Sequence, residues 1–367
     1  MHFRFRRMTL CLFSALVHFL LVGKFAAAQA PSAATTPSPA LLVLEKSDNM
    51  LAIVDPATLK VVARVSAGQD PHEIITSANG KVAYISNYGG SDSSLNTISV
   101  VDLTAQKPMA PIDLGALRSP HGLAFAGGEL YFTVETNKAI GRYDPPSQMI
   151  DWILGTGQDR THMISVSENL QRIITSNVSS GTISIIEHVS APGGPPPGPP
   201  GSATPPGPPP AGLRKTWKLT NVPAGRGSEG FDVSPDGKEI WVANSQDATV
   251  TIIDVASKKP IQTLPIPVRG ANRLKFTPDG KLVLIAGLGG GAASNLVVLD
   301  AAARKEIKQL DLGGGSAGIL IVPDGSHAFV AVSAKNKVAA IDLKTLEVTS
   351  YIATGKNPDG LAWSQPQ

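Results

Sequence analysis

The chain has 367 residues, of which 32 are lysine or arginine, 29 are aspartate or glutamate and one is cysteine. The formal net charge of +3 is too small to indicate a general attraction to nucleic acid. A single cysteine excludes an intramolecular disulfide, so the fold has to be stabilised by a buried core, for which this length is ample.

The first residues have the three parts of a secretory signal peptide. Arg4, Arg6 and Arg7 precede a mostly apolar stretch that ends in the small residues Ala26–Ala28. We predict cleavage after residue 28, which removes Cys11 and leaves 28 basic against 29 acidic residues. The mature protein is then periplasmic or secreted and needs no membrane, whereas an uncleaved anchor is the alternative. Both general secretion and twin-arginine export remain possible.

After a linker (residues 29–40), the rest of the chain (41–367) is predicted to be a single domain that repeats itself. Aligning the repeats on the residue that precedes each first strand gives seven anchor positions, spaced by 41 to 49 residues except for one interval of 67. The anchors are His72, His121, His162, Glu229, Asn272, Ala317 and Asp359. A period in the low forties with four short strands per unit is typical of a β-propeller blade.

The long interval contains an insertion rich in proline and glycine. Ala191–Gly212 has 22 residues, of which 17 are proline or glycine, and the interval shortens to 45 without it. Such a segment is not expected to pair in a sheet, so we predict a polyproline-like or disordered excursion between the third and outer strands of one blade. A tolerated surface insertion and a segment that docks a partner both remain possible.

One repeat shows how each blade is predicted to be built. In residues 227–264, strands are expected at 231–234, 240–243, 249–254 and 261–264, with the turn Ser-Pro-Asp-Gly (234–237) between the first two.

At the chain ends, residues 359–364 supply only a first strand, and 41–45, 51–54 and 61–65 supply the other three. We therefore predict an all-β fold: a seven-bladed propeller with four-stranded antiparallel blades. Its last blade is closed by N-terminal strands plus a C-terminal inner strand, which leaves no open sheet edge there.

Short motifs recur at matching positions of the repeats. They are YISN (84–87), ITSN (174–177), WVAN (241–244), the Pro-Asp-Gly turns, and the third strands TIIDV (251–255) and AIDL (340–343). With them the chain resembles the YVTN or YncE-like propellers, also called lactonase-like, over residues 41–364. The resemblance implies the fold but little about function, because that family includes binding proteins, lyases and lactonases. VLIAG (283–287) and FVAVSAKN (329–336) depart from the pattern.

Chain direction in a propeller places all seven anchors on one face, at the mouth of the central channel, and the insertion on the other. Three imidazoles, two carboxylates and an amide are expected to converge there. Arginines lie in the same loops, and their guanidinium groups favour a small anionic ligand such as a carboxylate or phosphate. The predicted ligand-binding residues are His72, Arg118, Arg160, Arg226, Arg269, Asn272 and Asp359.

Three interpretations of the anchors remain open. The anchors could serve the fold alone, since duplicated blades copy the same residue. His72, His121 and His162 could bind a divalent transition metal if the channel mouth is narrow. The third possibility is acid–base chemistry without a metal, which resembles the arrangement in lactonases and cycloisomerases. Its predicted catalytic residues are His121, His162 and Glu229, with a histidine as base and the glutamate as acid.

We therefore predict an exported, monomeric binding or recognition protein whose histidine-lined mouth takes a small anionic ligand, a metal or a protein segment. The alternative is a lactonase, lyase or cycloisomerase acting on a small carboxylated sugar or lactone. The resemblance also suggests binding of single-stranded DNA, which would need a basic groove with stacking aromatic residues. The anchor loops offer arginines but almost no aromatic residue beyond Tyr88, so nucleic acid is disfavoured as a partner.

Overall fold

The computed structural model describes residues 35–89, 94–192, 213–289 and 295–365. Within these ranges, antiparallel strands form seven sheets, the blades of a β-propeller, which confirms the predicted fold class. The same ranges contain two short 3-10 segments, Lys46–Asp48 and Ser333–Lys335, and no α-helix. No helix among the described residues is long and apolar enough to cross a membrane. The predicted signal peptide and residues 29–34 of the predicted linker lie outside the described ranges.

Blades 1 to 3 follow one another along the chain, each written here from its inner to its outer strand. Blade 1 consists of β4 (Pro71–Thr76), β5 (Val82–Asn87), β6 (Thr97–Asp102), β7 (Lys107–Pro108) and β8 (Ile112–Asp113). Blade 2 consists of β9 (Pro120–Ala126), β10 (Glu129–Val134), β11 (Ala139–Asp144) and β12 (Met149–Gly155). Blade 3 consists of β13 (Thr161–Val166), β14 (Arg172–Asn177), β15 (Thr182–Pro192) and β16 (Leu213–Pro223).

Blades 4 to 6 continue in the same order. Blade 4 consists of β17 (Ser228–Val233), β18 (Glu239–Asn244), β19 (Thr249–Asp254) and β20 (Lys259–Pro265). Blade 5 consists of β21 (Ala271–Phe276), β22 (Leu282–Gly287), β23 (Leu296–Asp300) and β24 (Lys305–Leu310). Blade 6 consists of β25 (Ile319–Ile321), β26 (His327–Val332), β27 (Lys337–Asp342) and β28 (Glu347–Ala353).

Blade 7 joins the two ends of the described chain, as predicted. Its inner strand is the C-terminal β29 (Pro358–Ser364), which pairs with the N-terminal β1 (Ala40–Glu45). The strands β2 (Met50–Asp55) and β3 (Lys60–Ser66) complete the sheet. Because this pairing closes the ring, it leaves no open edge between the first and last blades.

Two blades depart from the regular pattern. The outer strand of blade 1 is split into β7 and β8, since Pro108 and Pro111 lack the N–H groups that a continuous strand would use. In blade 3, β15 and β16 form a long hairpin that pairs as far as Pro192 with Leu213. The first two residues of the predicted insertion, Ala191 and Pro192, therefore belong to a strand, contrary to expectation. Residues 193–212 lie outside the described ranges.

The core lies between neighbouring blades, where the second and third strands present β-branched and aromatic side chains. Trp241 of blade 4, for example, is fully buried and packs edge-on against Phe276 of blade 5, with ring centroids 5.5 Å apart. Burying an aromatic side chain contributes about 1.5–3 kcal/mol. Because every blade is packed on both sides in this way, the inner strands form a rigid frame for the groups at the channel.

Candidate functional site

Each inner strand of blades 1 to 3 carries a histidine at its second position: His72, His121 and His162. In all three blades a β-bulge interrupts the pairing of the inner and second strands close to this position. A bulge redirects side chains that would otherwise alternate across the sheet. The ring centroids of His121 and His162 lie 3.7 Å apart, and those of His72 and His121 lie 5.2 Å apart. The structure thus brings the three histidines into one cluster.

Hydroxyl groups on the second strands hold this cluster in place. Thr133 Oγ1 accepts a hydrogen bond from the N–H of Gly122 (2.8 Å) and donates one to the carbonyl of His162 in the next blade (2.6 Å). Ser176 Oγ donates in the same way to the carbonyl of Glu229 (2.5 Å). Because each hydroxyl joins one blade to the next anchor, the anchors are fixed relative to one another.

Glu135 also belongs to this site, although it was not predicted from the sequence. It follows β10, is buried, and bonds through one carboxylate oxygen to Nδ1 of His162. Its other oxygen accepts a hydrogen bond from the Tyr88 hydroxyl (2.6 Å) and one from Arg160 Nε (3.3 Å). Glu135 directly follows the second strand of its blade, and Tyr88 and Lys46 have the same position in theirs. Both of these residues also contact the cluster, so this position is the sequence signal for further site residues.

The charges of the cluster follow from burial and these bonds. Burial raises the pKa of the Glu135 carboxyl, but the hydrogen bond and the charge of His162 lower it. Arg160 and Tyr88 lower the same pKa further, to about 2. Burial lowers the pKa of His121 well below its ordinary value, and His162 and His72 add to this effect. At neutral pH the site therefore holds a carboxylate at Glu135 and a neutral imidazole at His121.

His72 contacts a group of charged residues at the edge of the cluster. Its Nε2 lies 3.3 Å from Asp70, and its Nδ1 lies 3.4 Å from Lys46 Nζ and 3.9 Å from Asp359. Lys46 also lies 3.6 Å from the carboxylate of Asp359. The structure therefore places Asp359, a predicted ligand-binding residue, beside His72. Lys46, which was not predicted, is the cation of this group.

An ion pair crosses the channel next to the anchors. Arg273 follows the anchor of blade 5 and pairs through Nη2 with Glu73, which follows the anchor of blade 1. Its Nη1 donates to the carbonyl of Asn272 (2.9 Å). Burial lowers the pKa of this guanidinium, but the carboxylates of Glu73, Asp359 and Glu229 more than offset burial and raise it. Arg273 is thus a buried cation among acidic groups.

Glycine at the position after an anchor allows the inner strand to lie close to the anchor of the next blade. It occurs in four blades: Gly122, Gly230, Gly318 and Gly360. A Cβ at any of them would lie within 2.2–2.5 Å of the carbonyl oxygen of the next blade's anchor, which is closer than real contacts allow. The other three blades carry larger residues at this position, and two of them, Glu73 and Arg273, form the ion pair described above.

The predicted arginines divide between the cluster and the surface. Arg160 bonds to Glu135, as described. Arg118 donates to the backbone carbonyls of Gly115 and Leu117 instead. Arg226 pairs with Asp247 (2.7 Å) and is largely exposed, and Arg269 is exposed without an ion pair among the described residues. The structure therefore does not gather these last three around the histidines.

The remaining anchors face other surroundings. The Glu229 carboxylate is half-buried and forms no hydrogen bond or ion pair with any residue that the structure describes. Asn272 is buried, and its side-chain oxygen lacks a partner within the same ranges. Ala317 is buried and offers no polar side-chain atom. The polar anchors therefore form a histidine side in blades 1 to 3, with Asp359 of blade 7 beside His72, and an amide and carboxylate side in blades 4 and 5.

Three groups of the histidine side could hold a metal ion. His121, Glu135 and His162 are buried, and each offers a ligand atom within 4.8 Å of the others. Two imidazoles and a carboxylate suit a divalent transition metal. This set shares two histidines with the predicted metal site and adds the glutamate, while His72 lies beside it.

Several solved structures are similar to this fold. A functionally unknown protein from Desulfotomaculum acetoxidans has a TM-score of 0.67 at 12% identity, covering 89% of this chain and 99% of its own. A putative 6-phosphogluconolactonase from Bacteroides uniformis has a TM-score of 0.67 at 13% identity, with the same coverage of both chains. Hydrazine synthase from Kuenenia stuttgartiensis has a TM-score of 0.61 at 18% identity, over 80% of this chain and 90% of its own. These identities show a shared fold alone. No family model and no curated protein sequence matches the chain.

Proposed function

We propose that this protein is a β-propeller that binds a divalent transition-metal ion through His121, His162 and Glu135. The observation that carries the proposal is the contact of two buried imidazoles beside a buried carboxylate, with one ligand atom of each within 4.8 Å of the others. Protein zinc sites commonly combine these ligand types.

The state of His121 supports a ligand role. Its Nδ1 is buried and has no hydrogen-bond partner among the described residues. Buried polar atoms in folded proteins nearly always have a partner, and an unpartnered one costs about 1–3 kcal/mol. The low pKa keeps the ring neutral, which is the form that binds metals. A bound ion would supply the missing partner.

The groups around the cluster favour an anionic ligand on the metal. Arg160 lies beside Glu135, and Lys46 lies beside His72, so two cations flank the histidines. A metal held by three protein groups keeps positions open for a small molecule. We propose that a small anion, such as a carboxylate, occupies them with help from these cations.

The proposal includes the placement of the chain among the YVTN or YncE-like propellers as an exported monomer. The repeated motifs support the family, and the three-part pattern of residues 1–28 supports export to the periplasm or the medium. The closure of blade 7 by both chain ends supports a ring that is complete in one copy. Binding, rather than catalysis, is the function proposed first.

Metal analysis of the untagged protein tests this proposal. We expect Co²⁺ to bind the chelator-treated protein at one equivalent with visible absorption bands that report nitrogen and oxygen ligands. His121→Ala and Glu135→Gln should each weaken binding at least tenfold, because each removes a ligand. His327→Ala, which changes a histidine on β26 in blade 6, is the matched control and should bind normally. Full binding by His121→Ala, or none by the unaltered protein, would overturn the proposal.

A second candidate is acid–base catalysis without a metal. The bond between Nδ1 of His162 and Glu135 favours it, because it orients the ring and leaves Nε2 to accept a proton. Lactones are the first substrates to try, given the name of the Bacteroides uniformis protein. Hydrolysis that survives a chelator and is lost in Glu135→Gln would support this candidate. Undiminished activity in Glu229→Gln would contradict the predicted acid.

A further inference from the structure

A groove lined by aromatic residues lies between blades 2 and 3, apart from the histidine cluster. Tyr131, Arg142 and Trp152 form one cross-strand row of blade 2. His188 and Trp217 face each other across the hairpin of blade 3, with ring centroids 3.6 Å apart, and Trp217 lies 5.6 Å from Trp152. These five residues, called the aromatic groove below, line a cavity of about 280 Å³.

The groove has polar groups that are available to a ligand. Neither Trp152 nor Trp217 donates its indole N–H to any residue in the described ranges, and both side chains are half-buried. His188 Nδ1 is buried and lacks a partner there as well. A groove that combines flat aromatic faces with free N–H donors is the kind of surface that binds proline-rich segments. Proline has no N–H, so its chain offers carbonyl acceptors and ring faces.

The chain itself carries a segment of this chemistry at the end of the same hairpin. Residues 193–212, which follow β15 and precede β16, contain ten prolines and no charged residue. The pair His188–Trp217 lies four residue pairs from the last pair of the hairpin, Pro192–Leu213. At about 3.3 Å per residue this distance is about 13 Å.

The length of the segment is sufficient to reach back. Ten extended residues of a polyproline helix span about 31 Å, and the segment has 20 residues in which to leave the hairpin and return. A tether this short gives an effective concentration in the millimolar range. At this effective concentration, even a weakly binding segment would occupy the groove in most molecules.

We propose that the aromatic groove is the docking site of the chain's own segment 193–212. Proline rings pack on Trp152 and Trp217, and the two indole N–H groups donate to carbonyls of the segment. Docking places the insertion along the edge of blades 2 and 3. This inference is independent of the metal site, because it shares no residue with the histidine cluster.

Quenching of tryptophan emission by a nitroxide tests the proposal in the full chain. The label is attached to Ala203→Cys in a Cys11→Ser background, and its chemically reduced form is the reference. We expect the active label to lower total emission at least 1.3-fold, because it approaches Trp152 and Trp217. In a Trp152→Phe, Trp217→Phe variant with the same label, emission from Trp241 and Trp363 should be unchanged.

A variant of equal length separates docking from simple tethering. It replaces the ten prolines of the segment with serine and carries the same label. We expect quenching in this variant to be at least twofold weaker than in the labelled chain that keeps the prolines. Quenching of the same size in both would overturn the proposal. Absence of quenching in the original segment would overturn it as well. Quenching that disappears on dilution would mean that the segment of a second copy occupies the groove, which also contradicts docking within one chain.

Discussion

Replacing Arg273 with methionine should destabilise the fold by about 3–5 kcal/mol, the usual cost of removing one partner from a buried ion pair. The side chains of Arg273 and Glu73 are 10% and 14% exposed, so water can compensate little for the loss. Methionine keeps much of the volume but removes the cation, which leaves Glu73, Asp359 and Glu229 to repel one another.

Replacing the other partner of this ion pair, Glu73, should lower the free energy of unfolding by less. Glu73→Gln leaves Arg273 charged, but Asp359 and Glu229 still compensate it, so we expect a loss of about 1–3 kcal/mol. The double variant should be more stable than the sum of the two losses predicts, by about 1–3 kcal/mol, because neither charge is then left unpaired.

Urea unfolding, followed by tryptophan emission and circular dichroism, measures these values. Arg226→Met is the matched control, because it breaks an ion pair with Asp247 whose arginine is 77% exposed. It should cost less than about 1 kcal/mol. A loss below 1 kcal/mol for Arg273→Met, or losses that add within about 0.5 kcal/mol in the double variant, would refute this account of the channel.

Two further outcomes are expected in protein kept free of metal. The pKa of His121 is lower in the folded protein than the value of about 6.5 in the unfolded chain, so below about pH 6.5 the unfolded chain binds a proton that the folded protein does not. The free energy of unfolding is therefore highest above this pH and decreases as the pH falls below it. Unfolding at pH 7.5 and 5.5 should show a loss of roughly 1 kcal/mol that His121→Gln lacks; equal losses would contradict this. Gly122→Ala should cost about 1–3 kcal/mol, since its Cβ would lie 2.4 Å from the carbonyl of His162. Gly155→Ala, where a Cβ meets nothing within 4 Å, should change stability by less than about 0.5 kcal/mol.

The fold could be predicted because every blade repeats the same local signals. Turns such as Ser-Pro-Asp-Gly (234–237) and strands such as the one predicted at 249–254 recur in the repeats and indicate the period. The structure confirms that strand as Thr249–Asp254. The split outer strand of blade 1 could also have been read from Pro108 and Pro111. The extension of β15 to Pro192 could not, because it depends on pairing with Leu213 across an insertion.

The site was predictable only where it follows the repeat. The three histidines share one repeat position, so their proximity follows from the topology. The position of Glu135 directly after a second strand repeats in other blades, but its partner does not follow from the sequence, because the histidine that it bonds to lies 27 residues away. Arg273 likewise pairs with a glutamate 200 residues away, which no local pattern indicates. Arg226 lies close to an anchor in the sequence, but it pairs with Asp247, which its backbone N–H also contacts, and it does not reach the histidines.

The roles of the anchors in the fold and at the channel can be separated. The fold uses their backbone: the carbonyls of His162 and Glu229 accept hydroxyl bonds from the preceding blades. Blade 6 forms with Ala317, so a polar side chain is not needed at this position. The fold therefore requires the backbone of this position but not its imidazole. Burying His121 without a partner for Nδ1 costs stability, which supports the ligand role that we propose for this side chain.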